Sequence, residues 1–211
     1  MSDDRERWNE KYRDVEFELP ERPMAELERR IESLPDGRAL DVATGTGRNA
    51  IYLADHGYAV DAIDVSDEAI ARAKERADRR GVDERIDWHR TDVNEFDFGS
   101  GRYDVVTVSY FAALDLLPEL KDALATGGVL VYDHHLRTSD PVEVGPTSER
   151  HRYRSNDLLR ACLDLTVLAY EERRRPLPGG IAAVATIVAR KSTGGTQSYP
   201  VLADRREAAD R

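Results

Sequence analysis

The amino-acid sequence predicts a three-layer α/β fold: a seven-stranded, mostly parallel sheet with helices on both faces and an antiparallel hairpin strand toward its C-terminal end. Three observations point there. Apolar runs of strand length alternate with amphipathic segments from Arg38 to Asp133, and such alternation builds a parallel sheet. Right-handed crossovers then wind the helices onto both faces. Near the end, two long strand-like runs at 165–171 and 181–189 flank a Pro/Gly-containing segment, which reads as an antiparallel hairpin.

Each element has a local reason. Arg38–Val42 is the first strand and ends at the turn Ala43-Thr44-Gly45-Thr46-Gly47. A helix fits Asn49–Asp55, with Gly57 as its stop. Val60–Asp64 is the second strand. Ser66 caps a helix whose apolar stripe is Ala69, Ile70, Ala73 and Ala77, and Gly81 ends it. Arg85–His89 and Tyr103–Ser109 are the third and fourth strands. Pro118 opens the next helix, Gly127-Gly128 closes it, and Val129–Asp133 is the fifth strand. The stretch 136–154 is polar and aperiodic, the kind of long loop that serves function or lacks order. Ser155 is expected to cap a short helix reaching Leu163. Arg173–Arg175 reads as a charged hairpin turn.

Composition narrows the function classes. The 211 residues suit one core, and 40% hydrophobic content excludes a wholly disordered chain. No apolar stretch is long enough to span a bilayer, and the charged start lacks a secretory h-region, so a cytoplasmic location is expected. The single Cys162 cannot form an internal disulfide and reads as core packing. A net charge of −10 disfavours nonspecific nucleic-acid binding. Only four of the basic residues are lysine (Lys11, Lys74, Lys121, Lys191), an acid-rich, lysine-poor balance that suits a halophilic interior.

The chemistry concentrates at the carboxyl ends of the first strands, where open α/β sheets bind ligands. Gly45 and Gly47 let a ligand approach the backbone. Asp64 can accept hydrogen bonds from two ribose hydroxyls, and Asp92 can reach an adenine edge. The alternative is a tight turn with helix-capping aspartates. Two ligand classes compete for the full constellation. Gly45-Thr46-Gly47-Arg48-Asn49-Ala50 satisfies the dinucleotide fingerprint G-x-G-x-x-A. An oxidoreductase of the short-chain type would need a tyrosine followed four residues later by lysine, which none of the nine tyrosines has. Asp41, close to the turn, suits a cationic ammonium or sulfonium better than a pyrophosphate. S-adenosylmethionine carries both cations, so the balance leans to a methyl donor.

The run 39–54, with Gly57 and 60–66, resembles the class I S-adenosylmethionine-dependent methyltransferases, and within them the tellurite-resistance (TehB-like) branch. The weaker matches are Trp8-Asn9-Glu10-Lys11-Tyr12, 124–130 and Ala189-Arg190-Lys191. The resemblance implies a Rossmann-like methyltransferase fold and S-adenosyl-L-methionine as cofactor. It divides the chain into an N-terminal lid (1–24), a methyltransferase domain (25–191) and a polar, flexible tail (192–211). It also implies that Asp41 and the backbone of Ala43, Gly45 and Gly47 face the methionine moiety. Asp64 would hold the ribose with Val65 against the adenine, and Asp92 would accept from the adenine amino group beside Val93. Ser109 and Tyr110 would line the transfer site, and Trp8 and Tyr12 would belong to the lid. Ala43 stands where the class usually has its first glycine. Its methyl should narrow the turn without preventing binding, and φ > 0 there would count against the match.

Methyl transfer from a sulfonium depends mainly on alignment, so no base is obligatory. Tyr110 and His134 are the candidate catalytic side chains. His134 and His135 should face opposite ways, one toward the site. No metal is expected, because His134, His135 and His151 have no ligand spacing. Arg137, Arg150, Arg152 and Arg154 could hold an anionic acceptor or simply be solvated. The expected partner is a small-molecule methyl acceptor, without nucleic acid or membrane. The rival readings are an NAD(P)-dependent oxidoreductase and a non-catalytic S-adenosylmethionine sensor.

Overall fold

The computed structural model describes residues 2–14, 21–192 and 194–200. Part of the expected lid (1 and 15–20) and most of the expected tail (193 and 201–211) lie outside the described residues. In chain order the elements are α1 (Ser2–Arg13), α2 (Ala25–Arg30), β1 (Arg38–Val42), α3 (Arg48–Asp55), β2 (Ala59–Asp64) and α4 (Asp67–Arg80). Then come β3 (Ile86–Arg90), β4 (Tyr103–Ser109), α5 (Leu117–Ala123), β5 (Leu124–His135), α6 (Asp157–Ala161), β6 (Thr166–Leu177) and β7 (Gly180–Arg190). The sheet order is β3-β2-β1-β4-β5-β7-β6. Every neighbouring pair from β3 to β5 is parallel. β7 runs antiparallel to both β5 and β6. The expected three-layer fold is therefore present.

Two apolar layers sandwich the sheet. On one face α2, α3 and α4 bury Leu27, Ala50, Leu53 and Ala77 against Ala39, Val60, Ala62, Val105 and Val131. On the other, α5 and α6 bury Leu117, Leu120 and Leu158 against Leu40, Val106, Leu130 and Tyr132. The small stripe of α4 matters for the first layer. It lets α3 and its turn approach so closely that a Cβ on Gly47 would lie 3.0 Å from both Ala73 and Trp88. Ser66 caps α4 as expected, accepting from Ala69 N at 3.2 Å, and Gly81 ends the helix in the left-handed conformation.

Three expectations change. Gly127-Gly128 does not close α5, which stops at Ala123; the pair lies within β5. A side chain on Gly128 would collide with the carbonyl of Tyr103, 2.8 Å from its Cβ position, so glycine lets β5 lie against β4. The second change is at Ser155, which does not cap α6. Its hydroxyl donates to Glu172 at 2.6 Å, and Asn156 occupies the cap position. Third, Arg173–Arg175 is not a turn. The β6–β7 ladder continues past it to Leu177↔Gly180, leaving Pro178-Gly179 as the connection. The 136–154 loop, expected to serve function or lack order, is tied to the sheet. Leu136 bridges Tyr153, and Glu143 N and Val144 N both donate to Ile181 O.

Candidate active site

The crevice lies over the carboxyl ends of β1, β2, β4 and β5. At its β1 end the chain turns through three left-handed residues, Ala43 (φ 52), Gly45 (φ 55) and Gly47 (φ 78). Thr44 N donates to Ile63 O at 2.8 Å, which anchors the turn to the next strand. The Asp41 side chain is buried and committed inward. It accepts from Thr44 Oγ1 at 2.5 Å and Thr107 Oγ1 at 2.6 Å, and burial raises its pKa. Asp41 thus braces the turn rather than presenting its carboxylate to the crevice.

Asp64 ties the turn to the end of β2. One oxygen accepts from Gly45 N at 2.8 Å and the other from Ser66 N at 2.9 Å. Burial pushes its pKa up to about 6, with those backbone donors opposing the rise. The Val65 backbone adds a third contact, and a carboxylate offers about four lone-pair positions, so acceptor capacity is left for a ribose hydroxyl. That acceptor fits the ribose of an adenosine. Beside it, Asp92 accepts from Asn94 N (2.9 Å) and Nδ2 (2.7 Å), and Val93 lines a groove of about 670 Å³ with Asn94, Phe96 and Leu116. Val65 is half-buried.

α1 closes over this end. Asn9 Oδ1 accepts from Ser66 Oγ at 2.7 Å, Arg5 Nε donates to Asp67 at 2.8 Å, and Arg13 Nε donates to Glu68 at 3.0 Å. Tyr12 is buried close enough to Asp64 for that carboxylate to add to the upward shift that burial gives its phenol. Trp8 lies 5.9 Å from the Tyr12 ring and takes the Lys11 ammonium at 4.7 Å.

At the β4–β5 end the polar groups interlock. Arg48 donates to Ser109 Oγ, which donates to Asp133 Oδ1 at 2.7 Å. Arg175 Nη2 donates to Asp133 Oδ2 at 2.7 Å and to the Tyr110 phenol at 2.9 Å. Tyr110 stacks on His135 at 4.7 Å, with the Arg48 guanidinium 5.6 Å from its ring. Burial, together with the nearby imidazole of His134 and the cations Arg152 and Arg175, pushes His135 down to about 4.

Residues 39–128 match a known family, the methyltransferase domain. Over that span the chain is similar to methyltransferase domains. Similar curated proteins include phosphatidylethanolamine N-methyltransferase of Cereibacter sphaeroides, 30% identical over 50% of this chain and 55% of the relative. Demethylmenaquinone methyltransferase of Bacteroides fragilis is 36% identical over 44% of this chain and 40% of the relative. The match thus spans about half of each relative's length. The fold is similar to that of TehB from Haemophilus influenzae (TM-score 0.68, 20% identity, 89% of this chain and 67% of that one). No helix among the described residues is long and apolar enough to cross a membrane.

At this site two expectations meet a different geometry. Ala43 does adopt φ > 0, at a cost of about 1–2 kcal/mol for an L-residue, and the domain match stands with it. The two histidines do face opposite ways, but His134 is the one that turns from Tyr110. Its Nε2 lies 3.0 Å from His151 O, its ring packs 4.1 Å from Tyr153, and burial lowers its pKa to about 4. The imidazole beside Tyr110 is His135. Sequence reading also missed Asp133, Arg48 and Arg175 as site residues. Arg48 lies inside the glycine motif and Asp133 at a strand end, both legible positions. Arg175 had no local signal.

Proposed function

We propose that this chain transfers a methyl group from S-adenosylmethionine to a small acceptor held over the ends of β4 and β5. The observation that carries the reading is Asp64, buried at the end of β2 and bonded to Gly45 N, which joins a ribose-binding carboxylate to the glycine turn. When bound, S-adenosylmethionine supplies a methyl carbon made electrophilic by its sulfonium. Asp64 accepts from a ribose hydroxyl, Val65 and Val93 flank the adenine, and Asp92 accepts from its amino group. The backbone of Ala43, Gly45 and Gly47 faces the methionine moiety, with Asp41 holding that backbone in place. Trp8 and Tyr12 form part of a lid carried by α1.

Tyr110 and Ser109 then define the transfer end. Arg48, Arg152 and Arg175 approach Tyr110 and His135 there, with Asp133 paired to Arg175 and the buried Asp41 within electrostatic reach of Arg48. In a chain of net charge −10, that local excess favours an electron-rich or anionic acceptor. Alignment does most of the work, since holding acceptor and methyl at near-attack distance lowers the barrier by roughly 7–11 kcal/mol. His135, held neutral among cations, is a weak proton acceptor, which favours an acceptor that needs no deprotonation.

Calorimetry with S-adenosylmethionine and S-adenosylhomocysteine tests the cofactor assignment, and formation of S-adenosylhomocysteine with a panel of anionic and neutral acceptors tests turnover. Binding without turnover on any acceptor would turn the reading into a sensor. Absence of binding would end it.

A further inference from the structure

We propose that Arg175, brought in by the β6–β7 hairpin, is a positioning residue that fixes the Tyr110 ring across the acceptor end of the crevice. The proposal rests on the reading above of where the acceptor sits. Tyr110 immediately follows β4 and adopts φ 56, a conformation that a bulky L-residue leaves unless its surroundings hold it. Strand alternation would send its ring away from the face that Ser109 occupies. The left-handed backbone instead returns the ring to that face, among Arg48 and His135.

Three anchors keep it there. Tyr110 N donates to Asp133 O at 2.9 Å. The ring stacks on the His135 imidazole and has the Arg48 guanidinium 5.6 Å from its centroid. At the far tip, Arg175 Nη2 places one hydrogen on the phenol oxygen and the other on Asp133. Among the described residues this is the phenol's hydrogen bond, and Arg175 is the cation paired with Asp133, a carboxylate only 1% exposed. The first two anchors come from β5 and α3. The third comes from 65 residues downstream and reaches across β7, so the C-terminal hairpin sets where the ring stops. Arg175 acts through Tyr110 and Asp133.

The test uses full-length protein carrying ring-¹³C tyrosine, with the Tyr110 resonance identified by Y110F. In R175Q the Tyr110 resonance should lose the ring-current shift that the His135 stack gives it. The phenol's titration midpoint should rise, because a cation favouring the phenolate has gone; a general loosening of packing would lower it toward that of free tyrosine. Affinity for S-adenosylhomocysteine, measured by calorimetry, should stay within twofold of wild type. An unchanged Tyr110 resonance and midpoint in folded R175Q would overturn the proposal, as would a tenfold loss of S-adenosylhomocysteine affinity. Should R175Q fail to fold, R175Q/D133N removes both charges together and is read on the Tyr110 ring-current shift and the S-adenosylhomocysteine affinity, because loss of the Asp133 carboxylate offsets the effect of the lost cation on the phenol. Failure of the wild type to bind S-adenosylhomocysteine would refute the cofactor reading while leaving the Tyr110 result to stand alone.

Discussion

The two ends of the crevice are built by different means. At the β1–β2 end the contacts that join the glycine turn to the end of β2 are local and involve backbone groups: Gly45 N and Ser66 N on Asp64, and Thr44 N on Ile63 O, all within about 20 residues of chain, while Thr107 and the side chains of α1 brace this core from 55 to 66 residues away. At the β4–β5 end they are side chain to side chain and distant: Arg48 with Ser109, Ser109 with Asp133, Arg175 with Tyr110, separated by 61, 24 and 65 residues. A cofactor that many proteins share can be held by a turn and one carboxylate. An acceptor particular to one protein is met by side chains assembled from several strands, and these can change without disturbing the turn.

Substitutions at the two ends should therefore separate. The largest effect belongs to Asp133→Ala, which strands Arg175 with no carboxylate in a mostly buried position and should cost about 3 kcal/mol of stability. Chemical denaturation measures the loss, and S-adenosylhomocysteine affinity should change less than twofold. A large affinity loss would erase the distinction between the ends. Asp64→Ala should do the reverse, weakening S-adenosylmethionine at least tenfold by calorimetry while the Tyr110 resonance stays in place.

A pH effect sharpens the same contrast. Burial raises the pKa of Asp64 from the ordinary carboxylate value of 3.8 to about 6. Its contribution to the stability of the free protein is thus greatest below about 4 and is lost as pH rises through about 6. Ribose hydroxyls need the ionised form, so affinity should fall roughly tenfold per pH unit below about 6. The slope should vanish in Asp64→Asn. A slope that survives there would place the titrating group elsewhere.

The smallest effect is expected from Ala43→Gly. Relief of φ 52 gains about 1–2 kcal/mol, offset by about 0.5–1 kcal/mol of added backbone entropy in the unfolded chain. The melting temperature should rise by a few degrees at most, and a fall would mean the methyl packs productively.

What could be read from sequence follows the same division. β4 has the expected bounds, the Ser66 cap holds, and the glycine turn meets Asp64, because periodicity, capping chemistry and turn residues are all written within a few positions. The Arg173–Arg175 run misled because charge and a nearby Pro-Leu-Pro-Gly-Gly signal a turn locally, whereas pairing with β7 decides the strand. The choice between His134 and His135 needed the face of β5 that carries Asp133, which no local pattern states. The left-handed Tyr110 carries no sequence mark, since its conformation is imposed by groups from β5, α3 and β6.

The placement of β7 between β5 and β6 has a consequence for assembly during synthesis. An interior slot of the sheet is filled by a strand made after its outer neighbour, and among the described residues β6 joins the sheet through β7. Until Gly180–Arg190 has left the ribosome, β5 stays an open edge and Arg175 has no scaffold to bring it to Tyr110. A nascent chain arrested before that point would own the turn and Asp64 while lacking the wall that an acceptor must meet.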